Sequence, residues 1–285
     1  MEEVRRADFA GSWYPGSESE CRAAIKNFSN AGLSCPDAED VPGGIVPHAG
    51  WFYSGQVACN VIKCLSNQGA PETCVIFGRH LHPESPCYIM KKGLWETPLG
   101  SIEIDMDMAA ALAEEFSFIE ETPSFYEPDN TIELQLPFIK YFFPETKIVP
   151  IGVPPNSIAL SIAKRAAGIS KKMGRRSIAL GSTDLTHYGL NYGYIPEGTG
   201  EDAVEWVKNK NDRRVVDLML KMDGAGIIQE ALQNQNACCS GAAGAAAEMA
   251  KGLGADRAEK IKYLTSYDIK PDSSFVGYAG VVFIS

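Results

Sequence analysis

The chain has 285 residues, 45% of them apolar and 22% charged, an ordinary globular balance with enough length to bury a core without covalent staples. Its 36 acidic side chains against 26 basic ones leave a formal charge of −10, which argues against a broad nucleic-acid surface. The acidic start Met1-Glu2-Glu3 does not read as a secretory signal and no apolar run reaches spanning length, so a cytoplasmic, non-membrane protein is expected.

In chain order, Ile45-Val46 is the first short apolar run, following Pro42-Gly43-Gly44 and stopping at Pro47-His48. Helical spacing covers 55–65, and a second apolar run at 74–77 ends at Gly78-Arg79-His80. Helical spacing returns at 106–116 and at 131–143, where Ile132, Leu136, Ile139 and Phe143 share one face. A third strand is predicted over 147–153, a helix over 157–173, and a fourth strand from 177, running into Gly181-Ser182-Thr183-Asp184. The segment 192–200, dense in Gly, Pro and Tyr, predicts a loop. Helices follow over 201–222 and over the alanine-rich 241–252, and 276–284 is a final strand. Near-continuous apolar runs suit strands buried on both faces of a mainly parallel sheet. Their alternation with helices predicts an α/β fold, and the absence of low-complexity linkers or repeats predicts one domain over 1–285.

The four histidines follow predicted strands: His48, His80 and His82 closely, His187 a few residues later. In open α/β sheets the loops past the strand C-termini form the binding crevice. One histidine after a strand is more often a turn or packing residue, but four in such positions point to a shared pocket. Cys238 and Cys239 precede the alanine-rich helix, where the helix dipole favours thiolate, the form that binds metal or attacks an electrophile. The plain alternative is a small residue at a tight helix start. Asp184 and His187 sit together past a strand, suited to acid/base work, although Asp184 could instead cap a turn. Asn130 and Glu133 have the spacing of a capping box. The eight cysteines follow no secreted-framework spacing and are expected to be reduced, mostly buried thiols. No Walker loop, dinucleotide fingerprint or nucleophile elbow is present, which removes nucleotide hydrolysis and the familiar serine hydrolases.

At these residues the sequence resembles the Memo-like family, relatives of the class III extradiol dioxygenases typified by the LigB subunit. The resemblance begins at Ala10-Gly11-Ser12-Trp13-Tyr14-Pro15-Gly16 and continues through Pro47-His48-Ala49-Gly50-Trp51-Phe52-Tyr53-Ser54-Gly55 and Glu96-Thr97-Pro98-Leu99-Gly100. It extends to Ile132-Glu133-Leu134-Gln135-Leu136-Pro137-Phe138 and Ser182-Thr183-Asp184-Leu185-Thr186-His187-Tyr188-Gly189. It implies a LigB-like α/β fold and a His, His, Cys set proposed to hold iron or copper. By position these fall on His48, Cys238 and a second histidine: His80 in the ungapped register, His82 if the glycine after the strand is held fixed. Asp184 and His187 fall where the dioxygenase relatives place a catalytic histidine. Three departures lie in the same region. Asn130 stands for a family histidine and cannot transfer a proton, Cys239 stands for a glycine, and Gly78-Arg79-His80-Leu81-His82 rewrites a Gly-Pro-Ser-His element.

Three functions are expected to compete. The first is a metal-dependent oxidoreductase acting on a small molecule, with Fe(II) or copper on His48, His80 and Cys238, His187 as acid/base and Asp184 orienting it. The second is a catalytically silent binding or scaffold protein, its partners including radical-SAM-associated proteins as the resemblance implies. The third is a Cys-His hydrolase using Cys238 and His187.

Overall fold

A computed structural model describes residues 3–30, 32–66 and 69–285. Its large sheet comprises, in chain order, β1 (Gly43–Val46), β2 (Thr73–Gly78), β3 (Cys87–Met90), β4 (Phe118–Glu121), β5 (Lys147–Gly152), β6 (Ser177–Ser182), β7 (His187–Tyr188), β8 (Arg257–Thr265) and β9 (Phe275–Ile284). The spatial order is β7-β9-β1-β6-β2-β5-β3-β4, with β8 on β9. The four apolar runs read from the sequence are the adjacent parallel strands β1, β6, β2 and β5. Around this parallel centre the sheet is mixed, not purely parallel, since β9 and β3 each join it antiparallel. Only a short segment separates β8 from β9, too short for the crossover that parallel pairing needs, so these two also run antiparallel. Val4–Arg5, Leu94–Trp95 and Ile102–Glu103 make a second, small sheet.

The helices are α1 (Glu18–Ser29), α2 (Trp51–Leu65), α3 (Met106–Ala113), α4 (Asn130–Glu133), α5 (Leu136–Phe142), α6 (Ser157–Met173), α7 (Glu201–Trp206), α8 (Asp212–Leu220), α9 (Gly224–Asn234) and α10 (Ser240–Leu253). Neighbouring residues of β1 show how they cover both faces: space beside Gly43 is taken by Ala250 of α10, and space beside Gly44 by Val61 of α2. The side chains of α10 and β6 explain an unusually close layer. A Cβ on Gly181 would lie 2.7 Å from the Ala242 carbonyl oxygen, so glycine in the strand and alanine in the helix let the two backbones approach. That approach brings the start of α10 to the strand ends. Among the described residues no helix is long and apolar enough to cross a membrane.

Four expectations are corrected. The helix expected over 131–143 breaks at Leu134-Gln135, because Pro137 has no N–H to continue the ladder. The helix over 201–222 is interrupted by a π-helical turn, Val207–Asn211, beyond which Asn211 and Asp212 are buried against Thr186. The capping box fails: Asp129, not Asn130, caps α4. Finally, the cysteines are not all reduced. Cys35 and Cys64 form a disulfide, because the segment after α1 returns to the C-terminal end of α2 and leaves their Cα atoms 5.3 Å apart.

Candidate metal centre

The C-terminal edge of the parallel strands gathers the chemistry. His48 leaves β1, Arg79 and His80 leave β2, Thr183 and Asp184 leave β6, and Cys238 and Cys239 lead into α10. Each is fixed by a local reason. Gly78 abuts α4 so closely that a Cβ would lie within 2.7 Å of the Ile132 side chain, and this lets the Arg79 N–H donate to Thr131 Oγ1 at 2.7 Å. Arg79 then takes a left-handed conformation, φ 77°, a strained state for a non-glycine residue. Its guanidinium holds it there, donating to Glu121 at 2.5 Å and Glu127 at 2.7 Å and lying over the Tyr88 ring. The next residue is His80. Thr183 does the same for the cysteines: its hydroxyl accepts from the Cys239 N–H at 3.0 Å, while the Cys238 N–H donates to the Asp184 carbonyl at 3.1 Å.

His48 is 2% exposed and bonded on every side. Its N–H donates to Asp184 Oδ1 at 2.7 Å, and its carbonyl accepts from Asn130 Nδ2 at 3.0 Å. The Ser182 hydroxyl gives its single proton to the Thr131 carbonyl, so it accepts from His48 Nδ1 at 3.0 Å. Nδ1 therefore carries a proton, and Nε2 faces Cys238 Sγ at 3.2 Å. Burial opposes charge on the imidazole, but Asp184 and Cys238 outweigh it and raise its pKa to about 9. Burial likewise resists ionisation of Cys238. Cys239, His48 and His80 overcome that and hold its pKa well below the usual thiol value. Cys238 and His48 thus have the character of a thiolate–imidazolium pair.

The ring of His80 stands edge-on to that of His48, with centroids 4.9 Å apart. One donor atom each from His48, His80, Cys238 and Cys239 lies within 4.8 Å of the others. Of the two histidines left open by the sequence, His80 joins the cluster; His82 is exposed, its N–H bonded to Ser85. The two histidines of the cluster, with Asp184, line a cavity of about 660 Å³ whose other surfaces include Trp13, Tyr53, Asn130, His187, Tyr192 and Lys270, and the two cysteines lie behind them.

His187 lines the same cavity, and here two readings are corrected. Asp184 does not orient it: that carboxylate is engaged by the His48 N–H, and the His187 Nδ1–H donates to the Leu185 carbonyl at 3.1 Å. The carbonyl fixes the tautomer, leaving Nε2 as the atom that can exchange a proton. The histidine beside Cys238 is His48, so a Cys238–His187 hydrolase pair is not formed. Glu133, read in the sequence as half of a capping box, has a different role that was missed. It is fully buried and accepts from the Asp8 and Phe9 N–H groups and from the Tyr14 hydroxyl at 2.9 Å, pinning the 8–14 segment so that Trp13 reaches the cavity. No local signal announces a partner 124 residues away.

Fold and site together define a class: mixed α/β proteins with a histidine–thiol cluster at the carboxyl edge of the sheet. The family model described as Memo-like protein matches residues 5–282, and the chain belongs to that family. It is 33% identical to a MEMO1 family protein of Pyrococcus furiosus over 98% of each chain. It is 32% identical to one of Thermococcus kodakarensis, covering 98% of this chain and 99% of that one. Among solved structures, an uncharacterized protein from Escherichia coli K12 covers 85% of this chain and 99% of its own with a TM-score of 0.54. Its 11% identity makes that a likeness of fold alone.

Proposed function

We propose that the chain is a metal-dependent oxidoreductase acting on a small molecule, with one iron or copper ion held by His48, His80 and Cys238. The observation that carries this reading is the 3.2 Å approach of His48 Nε2 to Cys238 Sγ, with His80 alongside and both histidines lining a cavity. A tetrahedral ion with bonds of about 2.0–2.3 Å needs donor atoms roughly 3.3–3.8 Å apart. The donor types fit such an ion; the 3.2 Å approach is slightly shorter than that spacing and the group as a whole spreads to 4.8 Å, so small side-chain shifts would complete the coordination. Iron or copper bound there would supply one-electron and oxygen chemistry.

The remaining roles belong to this chain's own side chains. Ser182 and Asp184 fix the ring and backbone of His48, as supporting shells do around metal-bound histidines. Trp13, Tyr53 and Tyr192 offer aromatic walls to a flat substrate, and Lys270 offers a positive charge to an acidic substituent. His187, with its proton fixed on Nδ1, takes or gives a proton at Nε2 within the cavity it lines. Because the His48–Cys238 pair shares a proton, uptake of an ion must displace it. The test is anaerobic titration of the full chain with Fe(II) and with Cu(I). About one equivalent bound is expected, lost in His48→Ala; no binding by the unmodified chain would refute the reading.

One observation favours a second reading. Asn130 is bonded to the His48 carbonyl and cannot move a proton, which suits a scaffold that kept the pocket but not the turnover. Its partner could then be a radical-SAM-associated protein, and its binding should survive His48→Ala in a pull-down against such a protein.

A further inference from the structure

We propose that Cys239 is a fourth ligand, giving a His2Cys2 site that takes a thiophilic ion, copper(I), in preference to iron(II). The inference rests on the metal-site reading above and concerns which donors complete it. Cys239 is 4% exposed, and its sulfur lies 3.8 Å from that of Cys238. Two thiolates on one tetrahedral ion, with metal–sulfur bonds of about 2.3 Å, are separated by about 3.8 Å. The ligand atoms of His48 and His80 fall within the same 4.8 Å group, so the four donors form one cluster rather than two separate pairs.

The backbone shows why adjacent residues can serve together. The Cys238 N–H is tied to the Asp184 carbonyl and the Cys239 N–H to Thr183 Oγ1, so the peptide between them is held against the end of β6 with both sulfurs near His48. Cys239 is also the N-cap of α10, yet it makes no side-chain capping bond, so its sulfur is not engaged by the helix. Donor softness then decides the metal. Two thiolates and two imidazoles suit copper(I), whereas iron(II) sites of the open kind are built from two histidines and one carboxylate. Of the four donors, His48 and His80 line the cavity and the two cysteines do not, so a bound ion would be open to a small molecule from the histidine side.

The experiment is X-ray absorption at the copper edge of the full chain loaded anaerobically with Cu(I), compared with Cys239→Ser and Cys239→Gly. A competition between Cu(I) and Fe(II) is run in parallel, and circular dichroism controls for folding. The expected result is two sulfur neighbours in the unmodified chain, one in each variant, and a lower preference for copper in both. One sulfur neighbour in the unmodified chain, unchanged in the variants, overturns the fourth ligand while leaving the three-donor site intact. Failure of the unmodified chain to bind either ion overturns the metal reading itself, and this inference with it.

Discussion

His48 and His80 offer the same imidazole to one cluster from opposite kinds of support. His48 is buried two residues past β1, with its N–H, Nδ1, carbonyl and Nε2 all bonded. His80 is exposed on the turn after β2, and its ring meets the edge of His48. The inner half is set by the sheet itself, since Ser182 and Asp184 come from the neighbouring strand end. The outer half hangs on a strained turn held by Arg79. The difference teaches where position is built into the fold and where it can change at little cost to the fold.

The largest effect expected is from Asp184→Ala, which leaves the His48 N–H buried without an acceptor. We predict a loss of about 1–3 kcal/mol of stability in urea denaturation and metal affinity weaker by roughly 10–100-fold. An equal loss of folding stability from His80→Ala would break the distinction between the two halves.

The ground beneath the inner half gives a pH test. Asp212 accepts from the Thr186 N–H at 3.0 Å and from the Tyr263 hydroxyl at 2.8 Å, and burial raises its carboxyl to about 7 despite these bonds. The folded state holds this proton more tightly than the unfolded chain, whose carboxyl titrates near 3.9. The corresponding stability is fully present below about pH 4, is lost as pH rises toward about 7, and is absent above it. Asp212→Asn should flatten the fall in denaturation midpoint across that window; an unchanged slope would remove Asp212 as its source.

Smaller effects belong to the outer half. His80→Ala should change folding stability by no more than about 0.5 kcal/mol, as for an exposed site, while still weakening metal uptake in an anaerobic titration. His187→Ala should leave metal content unchanged, because its Nδ1 is bonded to a carbonyl and it is not a member of the His48, His80, Cys238, Cys239 donor group. A fall in metal content would move His187 into the ligand set.

Much of this was legible in the sequence because strands buried on both faces write themselves as apolar runs, and the residues after them mark the strand ends. The strand at β6 was placed this way, and α6 over its full span. Other elements carry the opposite texture. β8 reads Arg-Ala-Glu-Lys-Ile-Lys-Tyr-Leu-Thr, a charged strand on the flank of the sheet, and α1 is polar over most of its length. At the site, residue types and positions were readable, but pairings were not. That Asp184 serves His48, that Glu133 holds the 8–14 segment and that Cys35 reaches Cys64 all depend on contacts between distant parts of the chain. His80 was preferred to His82 on the ungapped register alone; the left-handed Arg79 that precedes it in the structure is something no spacing rule foresees.

The central claim is that His48 and Cys238, with His80, hold a redox-active metal. Its most direct test is the metal content of the full chain purified without a metal-affinity tag, beside the double variant His48→Ala, Cys238→Ala. The account predicts close to one equivalent of iron or copper in the unmodified chain and a near-complete loss in the variant. An unmodified chain that holds no metal and takes none up anaerobically would contradict it.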